Sequence, residues 1–524
     1  MNIFDGNGYT GFQKSIRPID VSSTAAAAPK RHRMAGAAPP TAPLTTPRSP
    51  MSSPSSPVLP AVLTRTTWLL VAASAAALFG PMDVAGAGFA IDGLTRVMAV
   101  VVTLVSALVH SFARRYMAGD RHLRRFFVRL FGLTLIVLLL VAADHVALFL
   151  LFWLGMGWML SALIGHVDGW PAADGARRLA RRTFLVGTAA LAGGLTILGA
   201  ASGTASISGI VEVAPSLSTA ALIPATLLLL TAAMVQSALV PFQTWLLSSM
   251  TAPTPVSAFM HAGIVNAGGV LLARFAGVFL EISGVMLVVF AVGAVSALLG
   301  QAWMLVQTDV KRSLGCSTVA QMGFMVLQAG LGFFAAALTH LILHGFYKAY
   351  FFLASGSVVA PSRPKPASSG TGSVLGSLLS LAAAVAGGSL FAALTGKSLT
   401  ALNSGTVLTV FVVLAVLHAT QSVVGRTALS AGARALAVPA LLLPALAVYA
   451  GAYNAVSVAL GSVPSAVPAA LSPVHGAALA LFAIGYVAVE RGWHRSVPRL
   501  YVLLVNSSQP AAATVRTRRE QYPA

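Results

Sequence analysis

The chain has 524 residues, of which 57% are hydrophobic and only 9% charged, and its mean hydropathy is +0.83. Soluble domains carry about 25% charged residues, so the composition argues against a soluble enzyme, a disulfide-rich secreted scaffold and a disordered chain, and leaves a polytopic membrane protein. Lysine and arginine number 33 against 13 aspartate and glutamate, a net charge of +20. The basic residues lie in short loops and tails between apolar runs, the pattern of contact with an anionic cytoplasmic leaflet rather than with nucleic acid. The single cysteine, Cys316, rules out an internal disulfide and any multi-cysteine metal site.

Residues 1–60 are rich in Pro, Ser, Ala and Thr with scattered basic residues. They cannot bury enough apolar area to offset chain entropy, so a disordered cytoplasmic tail is expected, without the apolar core of a cleavable signal peptide. A membrane domain is expected over 61–498 and a cytoplasmic C-terminal tail over 499–524. A bilayer core about 30 Å thick needs about 20 helical residues, and on that ruler about 14 spans can be counted. They lie near 66–86, 93–113, 126–144, 146–165, 184–202, 219–241, 255–277, 283–306, 316–333, 335–358, 373–398, 405–425, 434–461 and 475–490. Their Ala, Leu, Val and Gly interiors suit close helix packing.

The loops set the expected orientation. Loop 114–125 carries Arg114, Arg115, Arg121, Arg124 and Arg125, and loop 166–183 carries Arg177, Arg178, Arg181 and Arg182. Lys311 and Arg312, Arg363 and Lys365, Arg426 and Arg434, and then Arg491, Arg495 and Arg499 follow on the same side. Loops 202–218, 278–282, 399–404 and 462–474 have no Lys or Arg. This alternation puts both termini in the cytoplasm.

Ionisable groups inside spans are costly and point to function. Pro241 interrupts an otherwise apolar helix, a break tolerated in lipid only where it is buried or lines a cavity. His261 follows the Pro-rich run Ala252-Pro253-Thr254-Pro255, and a structural and a functional role are balanced there. Arg274 lies within a span and needs a counter-charge or a cage of carbonyls. Asp309, Lys311 and Arg312 sit at a helix entrance, where a surface ion pair is the expected arrangement. His340, His344 and Lys348 recur at i, i+4 and i+8, on one helical stripe about 6 Å apart. Such a stripe can relay protons through bridging waters or hydrogen-bond neighbouring helices. Lys397, in the interruption Thr395-Gly396-Lys397-Ser398, either snorkels to the interface or sits on a buried ion path.

Several ordered runs carry a family resemblance: Pro241-Phe242-Gln243-Thr244-Trp245-Leu246, Ala252 to Ala258 with His261, Gln307 to Arg312, and His340 to Lys348 followed by Phe352-Leu353-Ala354-Ser355-Gly356-Ser357-Val358. Over about residues 90–400 the chain resembles the antiporter-like subunits of respiratory complex I and Mrp-type antiporters; Asp92-Gly93-Leu94 is also similar. The run Arg499 to Asn506, and Val265-Asn266-Ala267-Gly268-Gly269 after His261, resemble the DabB family, the membrane subunit of the Dab inorganic-carbon pump. The resemblance implies an all-α polytopic bundle with two inverted repeats, each with a broken helix. It implies a proton- or cation-conducting transporter subunit, not itself an enzyme, working beside a large soluble zinc-binding DabA-type partner. Zinc then belongs to the partner, and no cofactor is expected in this chain. His261, His340, His344, Lys348 and Lys397 would form the ion path, with Pro241, Asp309 and Lys311 in support. Two departures stand out: Leu154 and Gln236 replace the glutamate and lysine of the first half-channel, and neither can titrate. A proton-translocating subunit of complex I or an Mrp-type complex is the alternative.

Overall fold

The computed structural model describes residues 58–80, 84–356, 374–398, 401–424, 431–461, 463–464 and 466–515. The N-terminal tail through residue 57, Arg363, Lys365, Arg426 and the last nine residues lie outside the described residues. After α1 (Val58–Ala77), a hairpin of β1 (Val84–Gly86) and β2 (Phe89–Ile91) leads into α2 (Gly93–Tyr116), α3 (Leu123–Ala142), α4 (Val146–Ile164) and α5 (Pro171–Ser202). A short α6 (Ile207–Val213) precedes α7 (Thr219–Gln236), α8 (Thr244–Leu247), α9 (Thr254–Ala262), α10 (Ala267–Arg274) and α11 (Ala276–Leu280). There follow α12 (Ser283–Met304), α13 (Val310–Gly330), α14 (Phe334–Ala354), α15 (Val374–Leu394), α16 (Ser404–Val424) and α17 (Ala431–Ala459). The last helices are α18 (Pro473–Glu490), α19 (Trp493–Ser496) and α20 (Pro498–Ser507). Among the described residues, ten helical segments are long and apolar enough to cross a membrane, and the chain is a multi-pass helical membrane protein.

Several boundaries differ from the sequence reading: α5 begins at Pro171, so Arg177, Arg178, Arg181 and Arg182 lie on a helix and not in a loop, and two further differences matter for the bundle. The first helix starts earlier and ends at Ala77 rather than reaching residue 86. Its threonines fit an apolar helix because their hydroxyls donate back to the chain, Thr64 to the Pro60 carbonyl and Thr67 to that of Thr64. The Ala-Gly-rich stretch beyond it forms the hairpin, whose turn residues Ala87 and Gly88 both have positive φ, as a tight two-residue hairpin turn requires. The second difference lies in the span expected at 255–277. It is interrupted: α9 ends at Ala262, Ile264–Asn266 form a single tight turn, and α10 resumes at Ala267.

The interruption before Pro241 is sheltered as hydrocarbon demands. α7 stops at Gln236, and Ala238 takes φ 51°, a left-handed conformation that costs a non-glycine residue energy. The Val240–Pro241 peptide is cis. Backbone groups freed by the break find partners: the Val240 N–H donates to Ser296 Oγ and Trp245 Nε1–H donates to the Val235 carbonyl. The two interrupted stretches also meet each other. Gln236 Nε2 donates to the Ile264 carbonyl and Ser237 Oγ to that of Val265, across a buried contact. Such pairing lets irregular backbone persist at membrane depth.

Close packing delivers α13 and α14 to this centre. α12 and α13 lie backbone to backbone: a Cβ on Gly293 would fall 2.3 Å from the Leu327 nitrogen, and one on Gly323 2.4 Å from that of Ala297. Only glycine permits that approach. On α14, a Cβ on Gly345 would meet the Ala262 carbonyl at 2.7 Å, so glycine also allows α9 to lie against α14. The segment after α19 returns to the bundle: Trp303 donates to Ser507 Oγ, Gln307 to Ser508 Oγ, and the Ala511 N–H to Ser248 Oγ.

Arg274 finds the counter-charge that the sequence leaves unnamed. It bonds Asp92, the N-cap of α2, and also donates to Thr95 Oγ1 at 2.9 Å and the Val141 carbonyl at 2.7 Å. The pair therefore ties the end of α10 to α2 and α3. Replacing Arg274 with alanine leaves a largely buried carboxylate uncompensated and should cost about 3–5 kcal/mol. Replacing Asp92 and Arg274 together should cost less. Cys316 is 1% exposed and the only thiol, so thermal unfolding followed with a thiol-reactive dye measures both changes.

Candidate functional site

α14 carries the stripe. Lys348 is fully buried, His344 nearly so and His340 half-buried. The His340 and His344 rings lie nearly parallel with centroids 6.1 Å apart, one turn along the helix. That separation is too long for a direct hydrogen bond and suits one bridging water. Both nitrogens of His344 and Nε2 of His340 are buried without a hydrogen-bond partner among the described residues. Buried polar atoms of that kind are ordinarily met by ordered water.

At the other end of the stripe, Lys348 Nζ donates to the Leu314 carbonyl at 2.9 Å. The same carbonyl accepts from the Thr318 hydroxyl at 2.9 Å. Because that hydroxyl proton is committed, Thr318 Oγ1 accepts from His261 Nδ1–H, 3.0 Å away. This fixes the His261 tautomer and leaves Nε2 as a buried acceptor with no partner among the described residues. The His261 ring stacks on Phe352 of α14, with centroids 4.3 Å apart. His261 and Lys348 are thus joined through one backbone carbonyl and one hydroxyl.

Lys397 occupies the interruption after α15. Its N–H donates to the Ala392 carbonyl, and Gly396 before it has φ 67°. Its Nζ is enclosed by three rings, with centroids at 5.1 Å (Phe333), 5.1 Å (Phe391) and 4.4 Å (Tyr453). Ring faces stabilise a cation directly, more so away from water. Phe333 precedes α14, so the cage lies about two turns, roughly 10 Å, from His340. His340, His344 and Lys348 follow α14 over about 12 Å, and Lys397 meets the start of that helix through the Phe333 ring.

The supporting residues have other places. Asp309 caps α13 by accepting from the Arg312 N–H at 2.8 Å; among the described residues no ion pair joins it to Lys311 or Arg312. The expected surface pair is therefore replaced by a helix cap, and α13 is the helix that presents Leu314 and Thr318. Pro241 belongs to the sheltered break and not to the stripe. Leu154 is 38% exposed, and Gln236 is buried and committed to the Ile264 carbonyl.

The sequence reading did not single out Thr318, Leu314 or His110. His110 is fully buried on α2, where Nδ1–H donates to the Ser106 carbonyl at 2.8 Å, and Ser106 Oγ lies 2.7 Å from Thr134 Oγ1. An ionisable residue in a span was the available signal for His110. Among the described residues no group of three His, Cys, Asp or Glu could hold a metal ion.

These features define a class: a multi-pass helical membrane protein in which interrupted helices flank a buried line of titratable side chains. Residues 143–418 match the family described as NADH:quinone oxidoreductase/Mrp antiporter, TM, and residues 84–127 match NADH-Ubiquinone oxidoreductase (complex I), chain 5 N-terminus. The chain belongs to the NADH:quinone oxidoreductase/Mrp antiporter family. It is 40% identical over 292 residues to the "Probable inorganic carbon transporter subunit DabB1" of Halothiobacillus neapolitanus, covering 52% of this chain and 50% of that protein. It is 42% identical over 280 residues to NADH-quinone oxidoreductase subunit L of Escherichia coli, covering 52% and 45%. The chain thus spans about half the length of the curated relatives it matches. A chain of the Mrp complex from Dietzia sp. DQ12-45-1b has a similar fold, with TM-score 0.60 and 24% identity over 87% of this chain and 57% of that one.

Thr318→Val should strand the buried His261 Nδ1–H and lower stability by about 1–3 kcal/mol. Thr318→Ser should keep most of it. Thermal midpoints of the purified protein decide between them.

Proposed function

We propose that the chain is the proton- or cation-conducting membrane subunit of an energy-coupled inorganic-carbon uptake complex in the bacterial inner membrane, with both termini cytoplasmic. The observation that carries this reading is the buried line His340, His344, Lys348, coupled through the Leu314 carbonyl and Thr318 to His261. Buried titratable groups in a membrane helix are retained where charge must move. In this reading Lys348 and His261 exchange a proton by rearranging donors around Thr318, the two α14 histidines pass it through bridging water, and caged Lys397 closes the far end. Lys311 and Asp309 hold the entrance of α13.

The DabB name of a relative supports the carbon assignment, as do the Leu154 and Gln236 replacements. With no titratable pair in the first half, movement is confined to the second half or completed by a partner. That partner is a large soluble zinc-binding DabA-type subunit, which supplies the CO2 hydration chemistry while this chain supplies the driving force. The 42% identity to subunit L favours a second reading, a proton-translocating subunit of a complex I or Mrp-type assembly.

Co-purification from native membranes should recover a large soluble zinc protein, and co-expression of the two should rescue growth of a carbonic-anhydrase-deficient strain in ambient CO2. Recovery of quinone-reductase or hydrogenase subunits selects the second reading instead. Lys348→Ala and His344→Ala should each reduce uptake to the empty-vector level with the complex still assembled. Unchanged uptake rejects the relay.

A further inference from the structure

Arginine is concentrated at one end of α2–α5, and the carboxylates of that end are already engaged. Asp120 pairs with His166 at 3.2 Å, Asp168 accepts from Arg125 at 2.7 Å, and Asp174 accepts from Arg177 at 2.8 Å. The Arg125 hydrogen bond holds the Asp168 carboxyl below its usual range. Arg178, Arg181 and Arg182 have no carboxylate partner among the described residues.

Depth and direction distinguish these three. α5 has 32 residues, about 48 Å at 1.5 Å per residue, against a hydrocarbon core of about 30 Å. Residues 183–202 contain no charged residue and alone span about 30 Å. Arg182 therefore stands at the edge of the hydrocarbon, with Arg178 and Arg181 within about one turn beyond it. Arg178 and Arg182 are exposed on the same face as Val186, at steps of four, and beside Leu185. That face carries exposed apolar side chains directly beyond the arginines, as a helix side turned to lipid requires. On neighbouring α4, Trp158 is 51% exposed, and the Arg181 guanidinium lies 3.7 Å from its ring centroid. Arg181 Nε is buried without a hydrogen-bond partner among the described residues. A tryptophan beside arginines at this depth is an interfacial arrangement.

The geometry points to a binding site for the phosphate headgroup of an anionic phospholipid on the surface where α5 meets α4, with Arg178, Arg181 and Arg182 as donors and Trp158 holding Arg181 in place. Arginine suits phosphate because its planar donors match the oxygens in pairs. The arginines look sideways, above an apolar helix face, whereas a soluble acidic partner approaching along the bundle axis would meet the loops first. A membrane lipid brings its anion and its chains to that lateral surface together. The site is independent of what the protein transports.

Native mass spectrometry on the full chain in mild detergent tests it, with added phosphatidylglycerol or phosphatidylcholine. Phosphatidylglycerol should survive delipidation and phosphatidylcholine should not, and millimolar inorganic phosphate should not displace it. In the triple variant Arg178→Gln, Arg181→Gln, Arg182→Gln, retention should fall to the phosphatidylcholine level. A photoactivatable phosphatidylglycerol on the unmodified protein should crosslink within residues 158–186, a measurement that does not depend on the variant folding. Unchanged retention in a monodisperse variant, crosslinks confined elsewhere, displacement by free phosphate, or loss of a bound acidic protein in place of lipid would overturn the assignment.

Discussion

One backbone carbonyl organises the centre of this protein. Leu314 O receives the Lys348 ammonium and the Thr318 hydroxyl together, and through Thr318 it fixes the orientation of His261. A fully buried amine needs a hydrogen-bond acceptor, and a helix interior offers only carbonyl oxygens its own ladder does not fully use. Thr318 and Lys348 share a carbonyl one turn below Thr318 on α13, so the position of α13 sets the bonded link between Lys348 and His261. The glycines that let α12 and α13 touch, and Asp309 capping α13, act on the site through that one oxygen.

Around this point the bundle divides unequally. Toward the C-terminus, α14 lines up three titratable groups, His340, His344 and Lys348, and Lys397 after α15 sits in an aromatic cage that includes Phe333 at the start of α14. Nearer the N-terminus, polar side chains bond main-chain carbonyls instead: Gln236 and Ser237 bond those freed between α9 and α10, and His110 Nδ1–H bonds the Ser106 carbonyl of its own helix. Interrupted backbone is present in both regions, and the stripe His340, His344 and Lys348 belongs to one of them.

Much of this was legible in the residues. The α14 stripe follows from i, i+4, i+8 spacing alone, and the Pro241 break from a proline within an apolar run. The polytopic membrane class follows from composition. What could not be read has a common physical cause. Leu314 acts through its main-chain oxygen, which every residue type possesses. Asp92 and Arg274 meet across 182 positions, so neither sequence neighbourhood predicts the other. The break at Gly263 has no proline and no change in hydropathy; it exists because Gln236, Ser237 and Asn266 supply hydrogen bonds to its carbonyls. The Asp309 side chain chose its helix's own N–H over nearby cations, a competition that composition does not settle.

The clasp made by residues 507–511 has a bearing on how the molecule is built. Its bonds reach back to Trp303, Gln307 and Ser248, helices that enter the bilayer long before the ribosome reaches this segment. Contacts so distant along the chain close late. The spans around the central break must therefore hold their places unassisted through much of translation, and the final stretch seals an arrangement it had no part in nucleating.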